Sequence, residues 1–183
     1  MKIIISPAKS LDFETKANTS LFTKPAFLNQ SEKLNKKLKA TSIKKLSDLM
    51  SISAALAELN YNRNQSWHAN YDENEGKQAA YAFTGEVYRG LDINTLEAKN
   101  LPYIQENLRI VSGLYGILKP LDIMLPYRLE MGTKLKVGRT ADLYQFWGNQ
   151  LSQFLNDEMQ SDEILVNLAS TEYSKAVLTK NLK

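Results

Sequence analysis

The sequence has no cysteine and a single histidine, His68. Without cysteine there is no disulfide framework, zinc ribbon, iron–sulfur cluster or thiol nucleophile. One imidazole excludes every site that needs two, including the two-histidine zinc helix of metalloproteases. Carboxylates alone can hold a hard cation, but Glu86, Asp122 and Glu130 are scattered at no spacing that specifies one. No resident metal and no cofactor is therefore expected. Long apolar runs are missing too. No stretch approaches the roughly 18–20 apolar residues that span a bilayer. The apolar start, Ile3–Ile5, is too short for a signal-peptide core. The expected location is the cytoplasm, with no membrane partner.

A strong excess of either charge is also absent, 23 Lys and Arg facing 20 Asp and Glu. The distribution is more telling than the total. Residues 1–50 hold ten Lys against four acids, whereas residues 51–100 hold four bases against seven acids. Lys33, Lys36, Lys37, Lys39, Lys44 and Lys45 fall in one helical stretch. Such a run ordinarily makes a solvated face, and that is the expectation for it.

With 183 residues, 43% hydrophobic and 23% charged, the chain has the composition of one folded domain, residues 1–183. Lys2–Ile5, Leu108–Val111 and Ile164–Asn167 are apolar and β-branched, as buried strands are. Between them the apolar residues recur at helical spacing. Leu28, Leu34 and Leu38 mark one helix, Ile43, Leu46 and Leu49 a second, and Ile52, Leu56 and Leu59 a third or a continuation. One amphipathic helix from Thr140 or Ala141 should bury Leu143, Phe146, Trp147, Leu151 and Leu155. Buried strands separated by helices predict an α/β fold, a mixed sheet with surrounding helices. The final helix and Lys180–Lys183 come with no clear stop, so a fragment of a longer chain is expected.

The three strands end in small polar residues, and ligand crevices of open α/β sheets lie beyond such ends. Were the strands parallel neighbours, Ser6, Ser10, Ser112, Asn167, Ser170 and Tyr173 would meet near the cations Lys9 and Arg109. Hydroxyls, an amide and cations suit a small anion such as phosphate. The same residues also serve as ordinary caps and turns. Ser6 with Lys9 does not make a nucleophilic pair on sequence alone, since no oxyanion hole is visible. No catalytic residue is assigned.

A second constellation is Leu108–Gly132, LRIVSGLYGILKPLDIMLPYRLEMG. Gly113 and Gly116 bracket a tight turn, and Lys119, Arg128 and Lys134 follow with Tyr115 and Tyr127 between. A glycine turn presenting main-chain N–H groups, with flanking bases, can hold a nucleic-acid backbone, and nearby aromatics can stack on bases. The motif is weak by itself, because an ordered loop with its Tyr rings in the core shows the same spacing.

Taken with Ser6–Asp12 (SPAKSLD), Phe83–Leu91 (FTGEVYRGL), Leu143–Gly148 (LYQFWG) and Asn167–Lys175 (NLASTEYSK), this run resembles the peroxide stress protein YaaA family over the whole chain. Ser10 stands where that family commonly has Thr. The resemblance implies a cytoplasmic bacterial protein of the peroxide stress response that lowers free intracellular iron. It also implies a DNA-binding protein with a family-specific α/β fold, a positively charged cleft and a helix–hairpin–helix element. The hairpin is expected at Leu108–Lys119, although Pro120 departs from a typical second helix. Family members continue past the equivalent of Lys183. The expectations are thus DNA held by Lys9, Arg109, Gly113, Tyr115, Gly116, Lys119, Arg128 and Lys134, with Lys36 uninvolved. The alternative is an enzyme acting on a small phosphorylated or nucleotide-like ligand in the strand-end crevice.

Overall fold

The computed structural model describes residues 1–183. The strands are β1 (Lys2–Ile5), β2 (Ser10–Leu11), β3 (Lys77–Gln78), β4 (Phe83–Thr84), β5 (Leu108–Ser112), β6 (Gly116–Leu118), β7 (Ile123–Met124) and β8 (Leu165–Asn167). The helices are α1 (Leu28–Lys39), α2 (Ile43–Met50), α3 (Ala54–Ser66), α4 (Ala79–Ala82), α5 (Glu86–Leu91), α6 (Leu101–Asn107), α7 (Leu143–Trp147), α8 (Gln150–Glu158) and α9 (Thr171–Ser174).

The main sheet has four strands in the order β6-β5-β1-β8. The three apolar runs all lie in it, and β1 runs parallel to both β5 and β8. β6 turns back antiparallel on β5, so the sheet is mixed. The hydropathy of each strand follows its place. Strand β5 has neighbours on both sides and all five residues buried, while β8 lies at the edge, half-buried, with Ile164 and Leu168 beside it exposed. The sequence predicts β8 to be fully buried. The other edge strand, β6, is fully buried with Trp147 and Leu151 packed over Gly116, so cover from neighbouring elements, which hydropathy does not report, makes the difference.

Leu108–Lys119 is a β-hairpin, not the expected helix–hairpin–helix. Ser112 pairs with Gly116 across the turn, and Gly116 sits at φ +73° with Trp147 and Leu151 packed over it. A side chain there would be strained by the left-handed backbone and would clash with the Trp147 ring and a Leu151 methyl.

One open helical alternative resolves and one expectation changes. Helices α2 and α3 are separate, parted by Ser51, Ile52 and Ser53. The single helix expected after Thr140 is two, broken at Gly148 with φ +50°. The core is continuous across these elements. Trp147 is fully buried, meets Phe27 edge-on at 5.5 Å and donates from Nε1 to the Gly113 carbonyl at 3.1 Å.

Candidate nucleic-acid interface

The strand ends converge only in part. Ser6 Oγ accepts from the Ser170 N–H at 2.9 Å, so the ends of β1 and β8 do meet. Ser112 goes elsewhere: fully buried, it shares a 2.6 Å bond with the Tyr127 hydroxyl and accepts the Tyr115 N–H at 2.9 Å. Its role is to close the β5–β6 turn. Asn167 Oδ1 accepts the Ala169 N–H at 3.0 Å, closing a turn in the same way. Ser10 is exposed and sits in β2 opposite Thr84. Tyr173 is buried, and burial holds its hydroxyl well above the ordinary phenol range. The space shared by Pro7, Lys9, Tyr127, Arg128, Glu130 and Tyr173 measures about 20 Å³. That is room for about one water. The polar trio expected at Ser6, Ser112 and Asn167 therefore does not line one crevice.

The expected phosphate-gripping cations are mostly engaged within the fold. Arg109 is buried; its Nε donates to Glu158 Oε2 at 2.7 Å and its Nη1 to the carbonyls of Gln105 and Leu108. A buried guanidinium must be paired and hydrogen-bonded, and this one is. Lys119 Nζ takes the other oxygen of the same carboxylate, at 2.7 Å. Arg128 and Lys9 share Glu130, at 2.9 and 3.1 Å. Tyr115 is fully buried and cannot stack on a base; its hydroxyl accepts Trp67 Nε1–H at 2.8 Å and the Leu125 N–H at 2.9 Å. Gly113 exists for packing, since a Cβ there would lie 2.2 Å from the Leu129 carbonyl oxygen. Of the expected residues, Lys134 alone is a fully exposed cation outside any ion pair. The most motif-rich segment of the sequence is thus the interior of the molecule.

The largest group of exposed, unpaired cations lies at the other end of the chain. Leu34, Asn35 and Leu38 turn one face of α1 inward, which leaves Lys33, Lys36 and Lys37 exposed and Lys39 half-exposed. Helix α2 begins at Ser42, whose Oγ caps the Lys45 N–H, and it buries only Leu46. Lys44 and Lys45 therefore face solvent. None of these six lysines belongs to an ion pair. A cleft of about 550 Å³ runs beside Lys33, Lys36 and Lys39 to Trp67 and His68. A second, of about 350 Å³, continues from Trp67 and His68 to Arg63, Leu125 and Pro126.

Helices α2 and α3 pack on one another and are joined by a short turn whose Ser51 and Ser53 are exposed. Ser51 stands at φ +51°, in the left-handed region, and Ser53 caps α3 by accepting the Leu56 N–H. The first amides of α3 have no partner within the helix and point out of its start, where the dipole favours anions. Helix α3 has 13 residues and is therefore about 20 Å long. The turn lies at its beginning and the clefts at its end. Sequence reasoning passed over this turn. The available signal was the capping serine before an apolar helical run, Ser53 before Ala54–Leu59. The left-handed position is occupied by serine instead of glycine, which hides the turn.

Comparison with known proteins matches the sequence to a family. The profile of the peroxide stress protein YaaA family matches residues 1–183. The chain belongs to this family. A UPF0246 protein of Flavobacterium johnsoniae is 49% identical over 183 residues, covering 100% of this chain and 73% of its own length. A UPF0246 protein of Hahella chejuensis is 50% identical over 184 residues, covering 100% of this chain and 72% of its own. One from Shewanella loihica is 49% identical over 185 residues with the same coverages. No helix of this YaaA-family chain is long and apolar enough to cross a membrane.

Proposed function

We propose that the protein binds DNA through its backbone and acts in the peroxide stress response. The contact surface in this reading is the α2–α3 turn together with the lysines of α1 and α2. The observation that carries it is the set of six lysines free of ion pairs on α1 and α2, together with the exposed left-handed turn that opens the 13-residue helix α3. Main-chain amides at the start of α3 would take one phosphate, and the lysines its neighbours. Along about 20 Å a strand passes about six phosphates, so the turn and the cleft by α1 reach different phosphates of one molecule. Such contacts position a protein and read no sequence.

An effect on free iron, in this reading, is indirect and exerted through DNA. One histidine and no cysteine leave the chain poorly equipped to chelate iron through nitrogen or soft sulfur ligands. The enzyme alternative loses its main support, because the strand-end space of about 20 Å³ admits no phosphorylated metabolite.

The test is fluorescence anisotropy of the protein with two unrelated labelled duplexes at low salt. Lys44→Ala combined with Lys45→Ala should weaken both duplexes alike. Unchanged affinity, or a loss confined to one duplex, refutes the backbone reading.

A further inference from the structure

The cleft of about 550 Å³ beside α1 has a polar wall that the fold itself leaves unsatisfied. Glu32, Lys33 and Lys36 line it as exposed residues, and Asn35 and Trp67 line it as buried ones. Asn35 is 2% exposed and is held by its nitrogen. Nδ2 donates to the Asn64 carbonyl at 3.1 Å and to the Trp67 carbonyl at 3.4 Å. Two carbonyl partners identify the donating atom as nitrogen, so the remaining amide atom is an acceptor. That atom, Oδ1, is buried and has no hydrogen-bond partner. A bare acceptor in the interior is costly, and an N–H donor removes the cost.

The charge of the same wall is unbalanced. Lys33, Lys36 and Lys39 follow one another at every third residue, within about 9 Å of helix rise. All three are outside any ion pair, and Glu32 is the one carboxylate lining the cleft with them. Across from them His68 offers a half-exposed ring, its Nε2 held by Glu75 at 3.0 Å. Bases stack on such rings. An N–H donor, a flat heterocycle and clustered negative charge occur together in a nucleotide. The volume agrees, since pockets for small ligands hold about 300–1,000 Å³.

We infer that this cleft binds a free nucleoside diphosphate whose base carries an amino group. The amino N–H donates to Asn35 Oδ1, the base lies against His68, and the phosphates meet the lysines of α1. The site does not rest on the DNA reading, although the two share those lysines.

The experiment titrates adenosine diphosphate into the full chain at constant ionic strength and follows backbone and side-chain amide signals by NMR. A saturable shift is expected, with the Asn35 side-chain amide among the signals that move. Inorganic pyrophosphate, which lacks the base, and adenosine, which lacks the phosphates, should each bind at least about tenfold more weakly. Lys36→Ala combined with Lys39→Ala should weaken the diphosphate by about tenfold or more, and Asn35→Leu likewise. Should Asn35→Leu fail to fold, the comparison with pyrophosphate on the unaltered chain carries the test of the base. Arg89→Ala, on the exposed α5, should leave binding unchanged. A linear, unsaturated drift, or pyrophosphate binding as tightly as adenosine diphosphate, overturns the site. A duplex titration on the same sample separates this site from the DNA reading. Duplex binding without saturable nucleotide binding overturns the site alone; nucleotide binding without duplex binding upholds it and refutes the DNA reading.

Discussion

The segment Leu108–Gly132 and the segment Leu28–Ser66 each carry several basic residues, yet they use them in opposite ways. In the first, Arg109 and Lys119 divide the two oxygens of Glu158, and Arg128 is bonded to Glu130. In the second, six lysines on α1 and α2 stand outside any ion pair. A distinctive sequence run thus marks the part of the molecule where packing is least forgiving. The surface available to a polyanion lies where the sequence reads as plain amphipathic helix.

The comparison can be broken hardest at Glu158. Glu158→Ala strands the buried Arg109 without its carboxylate, and truncating one partner of a buried pair costs about 3–5 kcal/mol. Chemical denaturation should show that loss. A change below about 1 kcal/mol would mean that Arg109 behaves as a surface cation.

Asp122 tests the same interior by pH. Burial raises its carboxyl to about 6, against accepted bonds from Thr23 Oγ1 and the Lys119 N–H that lower it. A raised acid favours the protonated fold, so this contribution is complete below the unfolded pKa near 3.8 and is lost as pH rises through about 6. Two units correspond to about 3 kcal/mol at most. The stability of wild type relative to Asp122→Asn should therefore fall between pH 4 and pH 7. A flat difference over that range contradicts the assignment.

Gly113→Ala is expected to cost about 1–3 kcal/mol, the range for forced overpacking, because its Cβ would meet the Leu129 carbonyl oxygen at 2.2 Å. Thermal melts would measure it. The smallest effect is favourable. Ser51→Gly relieves a left-handed serine and should raise stability by up to about 1 kcal/mol. A loss of stability there would show that the serine side chain holds the turn.

Much of the fold was legible beforehand. The three β-branched runs at Lys2–Ile5, Leu108–Val111 and Ile164–Asn167 do fall in one sheet, and burial on both faces accounts for that composition in β5, while β8 is only half-buried. Ser42 and Ser170 stand at helix starts as their residue type suggests. The candidate site was less legible. The partner of Arg109 is Glu158, 49 residues away, and no local pattern reveals that a charge is internal. Hydropathy likewise marks Tyr115 and Tyr127 as amphipathic, without saying that their hydroxyls are satisfied by Trp67, Leu125 and Ser112 inside the core. Helical periodicity identified the lysine-bearing helices but not the exposed turn between α2 and α3. A positive φ at serine has no signature in composition.

The central claim is that the free lysines, and not the paired cations of the hairpin strand, meet the DNA backbone. Its most direct test is the salt dependence of duplex affinity for Lys36→Ala and Lys119→Ala, each compared with wild type. Removing one phosphate contact lowers the log–log slope by about 0.9. The account predicts that drop in Lys36→Ala and an unchanged slope in Lys119→Ala, whose ammonium is held by Glu158. A drop in Lys119→Ala with none in Lys36→Ala would contradict it.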